Sequence, residues 1–381
     1  MKKLKVMPIF GTRPDAVKMA PLVKELQSCR EIDTVVCTTA QHRQMLDQVL
    51  DVFQIWPEHD LDIMLQRQTL EQITSRTLNR LSEVFESENP DIVLVHGDTS
   101  TCFVASLAAF YKKISVGHVE AGLRTFDKYS PYPEEMNRKL TGALADLHFA
   151  PTATNRTNLL NEGIKPKKIY VTGNTVIDAM KTTVQKNYVF QSEALRRIDI
   201  KGKRVISMTA HRRENLGAPL EQICMAVKDI ADSYDDVSII YAVHLNPAVR
   251  ETAYNILGTH TRIHLIDPLD VQDMHNLMNI SYIVMTDSGG LQEEAPSLGK
   301  PVLVLRKETE RPEAVAAGTV KLAGVERDDI RQLAAQLLDD PQEYNKMAKA
   351  VNPYGDGKAS ERIVKALLYE YGISKEKPAE F

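Results

Sequence analysis

The sequence predicts an α/β chain of two doubly wound domains, each a parallel sheet covered by helices. Short β-branched runs alternate with longer amphipathic segments from end to end, the pattern of strand, crossover helix and strand. The runs fall into two sets separated by a polar stretch, 181–203, and open twisted sheets seldom grow beyond about ten strands. At 381 residues and 43% hydrophobic, the chain is long enough to bury two sizeable cores.

Taken in order, the first set of strands is expected at LKVMPIF (4–10), DTVVCTTA (33–40), DIVLVHG (91–97), ISVGHV (114–119), DLHFA (146–150) and KIYVTG (168–173). The second set is RVISMTA (204–210), VSIIYAV (237–243), RIHLID (262–267), YIVMTD (282–287), PVLVL (301–305) and TVKLAG (319–324). A cleft is expected between domains spanning 1–174 and 175–364. The tail after Pro353 reads as a helix that ends in a charged, frayed KEKPAEF.

Composition narrows the function classes. With 51 acidic against 47 basic residues the net charge is -4, so neither a nucleic-acid-coating protein nor a membrane-surface protein is indicated. Any anionic ligand must be held by local groups. Cys29, Cys37, Cys102 and Cys224 show no C-x-x-C spacing, which makes the cytoplasm the default compartment. The apolar start before Gly11 is too short for a signal peptide, and no run approaches the ~18 residues of a membrane helix.

Ligands of open α/β sheets collect beyond the carboxyl ends of strands, so the residues following each run carry the functional reading. After the first run comes GTRPDAVK (11–18): glycine permits a tight turn, Pro14 suits the first helical position, and Arg13 and Lys18 can meet an anion. Asp98 and Glu120 follow two successive runs, and Glu134 and Glu135 lie just beyond in SPYPEEMNR. Each acid has a structural alternative: Asp98 as a helix cap, Glu120 as the ion-pair partner of Arg124, Glu134 as a helix-start acid. In the second half, TAHRREN places His211, Arg212 and Arg213 at a strand end, where they read as a phosphate clamp with a proton carrier or neutral donor in His211. His244 follows the next run; His42, His118, His148, His264 and His275 lack such company and read as structural.

TDSGGLQEEAPSLGKPVLVL (286–305) reads as strand, glycine turn, short helix and strand. Ser288, Gly289 and Gly290 would offer backbone N–H groups to phosphates at the helix start. Glu294, one turn in, would reach a ribose diol, leaving Glu293 a solvated or structural neighbour. The dinucleotide, Walker, H-E-x-x-H and G-x-S-x-G signatures are absent, so nicotinamide, ATP and zinc chemistry have no support. The inventory suits a nucleoside diphosphate whose attached group meets the acids.

Seven segments in order, GTRPDAVKMAPL, HGDTSTCF, GHVEAGLRT, SPYPEEMNR, TAHRREN, TDSGGLQEEAPSLGKPVLVL and TERPE, give the chain a resemblance to the bacterial non-hydrolysing UDP-N-acetylglucosamine (UDP-GlcNAc) 2-epimerases. That resemblance implies a GT-B fold, with residues 365–381 packing back on the first domain. It also implies reversible conversion of UDP-GlcNAc to UDP-ManNAc by elimination of UDP to 2-acetamidoglucal and re-addition, supplying ManNAc for cell-surface polysaccharides. No metal or other cofactor is implied. By motif, Asp98, Glu120, Glu134 and His211 carry over as catalytic residues. Arg13, Lys18, Ser288, Gly289, Gly290, Glu294 and Arg311 carry over to substrate, with Leu269 and Met274 near uracil. A second, activating UDP-GlcNAc would meet Gln41, Gln44, Arg67, Glu134, Arg212 and His244. A cytoplasmic homodimer is expected. Asp15 stands where the family commonly has Glu, and Lys307 and Glu308 depart from its usual pattern before ERPE, which touches fine binding geometry. A GT-B glycosyltransferase and a non-catalytic UDP-sugar-binding regulator are the competing readings, and the carboxylate-rich first half argues against both.

Overall fold

A computed structural model describes residues 2–40, 43–65 and 68–381, with the side chains of Gln44 and Met45 outside the description. The chain divides into two compact units, Met1–Thr182 with Tyr354–Phe381, and Thr183–Pro353.

The first unit holds strands β1 (Leu4–Phe10), β2 (Ile32–Thr34), β3 (Cys37–Thr38), β4 (His59–Asp60), β5 (Ile92–His96), β6 (Ser115–Val119), β7 (Leu147–Ala150) and β8 (Ile169–Val171). They pair in parallel in the order β4-β3-β1-β5-β6-β7-β8, with β2 beside the start of β1. β1 and β5 are buried almost throughout, because helices cover both faces of a parallel sheet and leave no solvated side for alternation. From β1 the chain first builds outward through β2 to β4, then returns to β5 on the other side. That reversal makes the carboxyl ends of β1 and β5 a switch point, where ligands collect. Register then aligns the neighbouring end: His96 pairs with Val119, bringing the residues after β5 and β6 to one level.

The second unit repeats the principle with β9 (Arg204–Thr209), β10 (Val237–Ala242), β11 (Ile263–Ile266), β12 (Ile283–Thr286), β13 (Val302–Val304) and β14 (Val320–Leu322), all parallel in the order β11-β10-β9-β12-β13-β14. Its switch point lies between β9 and β12, whose last residues Thr209 and Thr286 are paired in register. One core packs Ile206, Met208, Ile239 and Met285 against Ile223, Val227 and Leu337, each of which contributes roughly 1.5–3 kcal/mol by leaving water. Tyr241 is fully buried there, and its hydroxyl donates to the Ala210 carbonyl at 2.9 Å, fixing the turn after β9.

Strands stand at each expected run, except that the run expected at 33–40 is split into the short β2 and β3; β4, only His59 and Asp60, carries too little pattern to be read from sequence. The domain limits differ from expectation. The helix Thr175–Thr183 stays with the first unit apart from its last residue, as does the helix Ala359–Glu370, because Asp178 caps the latter by accepting from Ala359 N at 3.1 Å and Ser360 N at 2.8 Å. The tail, expected to fray, is tied down within the first unit: Phe381 N donates to the Val171 carbonyl at the end of β8 (2.9 Å), Glu380 pairs with Arg156, and the Arg362 guanidinium lies over the Phe381 ring. No helix among the described residues is long and apolar enough to cross a membrane.

Candidate functional site

The first-unit turns converge because their backbones leave room for it. Gly11, after β1, packs so tightly that an added Cβ would stand 1.8 Å from Thr39 Oγ1. Gly122, after β6, has φ +90° and would set a Cβ 2.3 Å from the Asn155 carbonyl oxygen, so both strain and contact exclude a side chain. Between these turns Asp15 is buried, accepting from Gly11 N at 3.3 Å, Thr12 N at 3.2 Å and Thr99 Oγ1 at 3.3 Å, with Thr12 Oγ1 on its other oxygen. The residue thus links the turns after β1 and β5. Burial pushes its carboxyl up to about 6, although these donors pull the other way.

Glu120 is 8% exposed and adopts φ 62°, a left-handed backbone rarely taken by a side chain of this size. Its Oε1 meets Lys18 Nζ in an ion pair and accepts from Asn174 Nδ2 at 2.9 Å, while His96 Nε2 lies 3.9 Å from Oε2. Burial pulls the His96 imidazole down to about 4, so the ring beside Glu120 is neutral near pH 7. The anticipated partner Arg124 is committed elsewhere, bonding Glu162 through Nε (2.8 Å) and Nη2 (2.6 Å). Asp98 is half-buried and is not the cap of the helix Ser100–Tyr111; Thr99 is. Arg138 grips Asp98 Oδ2 from Nε (2.9 Å) and Nη2 (2.7 Å), and Asn137 Nδ2 donates to its carbonyl at 2.8 Å.

Arg138 and Asn137 belong to the helix Glu134–Leu144, so this helix is tied to the turn after β5 and carries Glu134, half-buried, at its first position. Its neighbour Glu135 is fully buried and accepts from Thr125 N, Phe126 N and Arg138 Nη1, each at 3.1 Å, which makes it the structural acid of the pair. Arg13 is half-buried at the start of the helix Arg13–Ser28. Asn174 and His96 escaped the sequence reading; both directly follow or end an apolar run, the position that should have raised them.

In the second unit a single buried acid organises the switch point. Asp287 is fully buried, and its Oδ2 accepts from His211 N and Arg212 N at 2.8 Å each and from Asn215 Nδ2 at 3.0 Å. Its Oδ1 lies 3.9 Å from His211 Nε2. The His211 ring stacks on His244 with centroids 5.3 Å apart. Burial lowers the His211 imidazole below its ordinary range, with His244 and Arg212 adding to the effect and Asp287 opposing it. A neutral ring near pH 7 is the result.

The helix Gly289–Ser297 begins beside this turn. Ser288 N is already engaged, donating to Thr286 Oγ1 at 2.9 Å, so the N–H groups left to an anion are those of Gly289 and Gly290, contrary to the expectation that Ser288 would offer its own. Arg212 Nη2 and Arg311 Nη2 both lie 3.8 Å from where a Gly289 Cβ would stand. A helix N-terminus with two guanidinium groups at one point is an anion cradle. Glu310 stands at the same distance; burial opposes its ionisation, yet Arg306, Arg212 and Arg311 outweigh that and hold its carboxyl below the usual range.

The two acids of this helix separate cleanly. Glu293, 2% exposed, is no solvated neighbour: it forms an ion pair with Arg311 Nε, and its carbonyl accepts from Asn352 Nδ2 at 2.9 Å. Glu294 points elsewhere, with Oε2 3.3 Å from His275 Nε2. Leu269 is buried in an apolar cluster with Ile266 and Leu277, and Met274 packs at its margin. His118, fully buried against the Gly97 carbonyl at 2.7 Å, and His148 are structural, as expected. Gln41, His42 and Arg67 lie outside the described residues, as does the side chain of Gln44. Among the described residues no cluster of acids, histidines and cysteines could hold a metal.

Residues 24–368 match the sequence model of a family described as UDP-N-acetylglucosamine 2-epimerase. The chain is 60% identical to the UDP-N-acetylglucosamine 2-epimerase of Bacillus subtilis, over 100% of this chain and 99% of that one. It superimposes on a crystal structure of a UDP-N-acetylglucosamine 2-epimerase with TM-score 0.93 and 58% identity, each chain covered in full. The Neisseria meningitidis UDP-GlcNAc 2-epimerase, solved bound to UDP-GlcNAc, is 51% identical with TM-score 0.86, covering 96% of this chain and 99% of that one. The two parallel-sheet units are those of the GT-B fold.

Proposed function

The chain belongs to the UDP-N-acetylglucosamine 2-epimerase family, and from that premise we propose that it interconverts UDP-GlcNAc and UDP-ManNAc by elimination and re-addition, supplying ManNAc for surface polysaccharide. The supporting observation is the cradle at Gly289, where a helix N-terminus and the Arg212 and Arg311 guanidinium groups suit a leaving diphosphate. A carboxylate takes the C2 proton as the C1–O bond breaks, leaving 2-acetamidoglucal and UDP. In re-addition a proton reaches C2 on the opposite face while a UDP oxygen re-forms the bond to C1. Atoms and charge balance without an external reductant or oxidant.

Asp98, Glu120 and Glu134 are the acid/base set in this reading. Lys18 and Asn174 hold Glu120 oriented, and Arg138 does the same for Asp98. Neutral His211 donates or accepts a hydrogen bond beside the phosphates, and Arg13 adds a further cation. Glu294 accepts from the ribose hydroxyls, and Leu269 and Met274 border the uracil. Incubation with UDP-GlcNAc alone in deuterium oxide tests the proposal: UDP-ManNAc with deuterium at C2 is expected. No exchange without an acceptor would favour a glycosyltransferase, and release of free ManNAc would favour hydrolysis.

Activation by a second UDP-GlcNAc extends the same reading. Arg212 lies beside Gly289 and His244 stacks on His211, which supports a second molecule bound next to the first. His244→Ala is expected to flatten the rise of activity with UDP-GlcNAc concentration; an unchanged curve would remove the idea.

A further inference from the structure

Glu294 is met by His275, which is in turn met by Thr183, and the reading above leaves both unused. His275, on the helix Val271–Ile280, is 3% exposed and has both ring nitrogens engaged, Nδ1 lying 2.7 Å from Thr183 Oγ1 and Nε2 lying 3.3 Å from Glu294 Oε2. Thr183 is fully buried. A threonine hydroxyl can donate to Nδ1, which leaves the proton of a neutral imidazole on Nε2, aimed at the carboxylate. The next residue locks the same two segments together: Asn276 Nδ2 donates to the Thr183 carbonyl at 2.7 Å, and Gln185 N donates to Asn276 Oδ1 at 2.9 Å. The imidazole therefore has a fixed position before any ligand arrives.

Glu294 Oε1 lies on the side of the glycine turn, 3.3 Å from where a Gly290 Cβ would stand. A helix glutamate has several rotamers, and ordering one on binding weakens affinity. We infer that His275, set by Thr183, is a positioning residue that holds Glu294 in the one rotamer able to accept from a vicinal ribose diol, and so determines the preference for ribonucleotide over 2′-deoxyribonucleotide. The inference rests on the ribose reading of Glu294. A histidine that merely filled the core would alter stability without touching sugar preference.

Dissociation constants for UDP and 2′-deoxy-UDP, measured by calorimetry on the wild type and on His275→Phe, His275→Gln, Thr183→Val and Glu294→Gln, separate the possibilities. His275→Phe is expected to erode the preference for UDP by about tenfold, the worth of one well-placed bond to a charged group, with partial recovery in His275→Gln, which keeps a donor. An undiminished preference in folded His275→Phe, with the preference lost in Glu294→Gln, would overturn the positioning role alone. If Glu294→Gln also keeps the preference, the ribose reading falls and this inference with it. Should His275→Phe fail to fold, Thr183→Val decides: a reduced preference supports the role, and an unchanged one overturns it.

Discussion

The two switch points use the same residue types for opposite purposes. In the first unit the acids Glu120 and Asp98 stand at the strand ends, and the cations Lys18 and Arg138 hold them. In the second unit the cation Arg311 stands at the helix start, and a buried acid, Glu293, holds it; Asp287 likewise fixes the backbone that presents His211 and Arg212. Charge alone does not tell a working residue from a supporting one. The supporting acids Asp287 and Glu135 are fully buried and satisfy backbone donors, whereas Asp98 and Glu134 stay half-exposed; Glu120, set deeper than the Lys18 that holds it, shows that depth alone does not separate the two roles.

The contrast breaks most visibly at Asp287. Asp287→Ala would strand three buried or half-buried donors, so a loss of about 3–5 kcal/mol is expected, read as a lower urea midpoint. A loss below about 1 kcal/mol would show that the turn holds its shape without the acid.

A smaller effect sharpens the second unit's side of the comparison. Glu293→Gln keeps the shape but releases Arg311 from its ion pair, so KM for UDP-GlcNAc should rise about tenfold with kcat changed less than about threefold. A fall in kcat at constant KM would move Glu293 into the chemistry.

Asp15 offers the pH-dependent case. Its folded carboxyl titrates at about 6 against an ordinary 3.8, so the folded state binds the proton more tightly than the unfolded one. Its stabilising contribution is therefore full below about 4 and is lost as pH rises through about 6, to an extent of roughly 3 kcal/mol. Denaturation midpoints of the wild type and Asp15→Asn at pH 4 and 7 check this: the variant should lose that part of the decline, and parallel curves would contradict it.

Much of this was legible in the residues. The strands are near-continuous Val, Ile and Leu runs because both faces of each sheet are covered, and the rule that ligands meet strand ends singled out Asp98, Glu120, His211 and Ser288. The rest depended on side-chain partners distant in sequence. Arg124 looked like the natural partner of Glu120, but the fold brings Lys18 instead, 102 residues away. His275 seemed isolated because Thr183 and Glu294 meet it only in three dimensions. The tail looked charged and loose, yet pairing with Arg156 and β8 gives it partners that composition does not display.

In the proposed function, proton movement and UDP retention are separate duties of the two units. C2 deuterium exchange and UDP affinity measured together on Glu120→Gln and Arg311→Ala test it directly. Glu120→Gln is expected to lose exchange by about 10²–10⁴-fold while binding UDP as the wild type does, and Arg311→Ala should weaken UDP binding first. Exchange at the wild-type rate in Glu120→Gln, or a UDP affinity that falls as far there as in Arg311→Ala, would contradict the account.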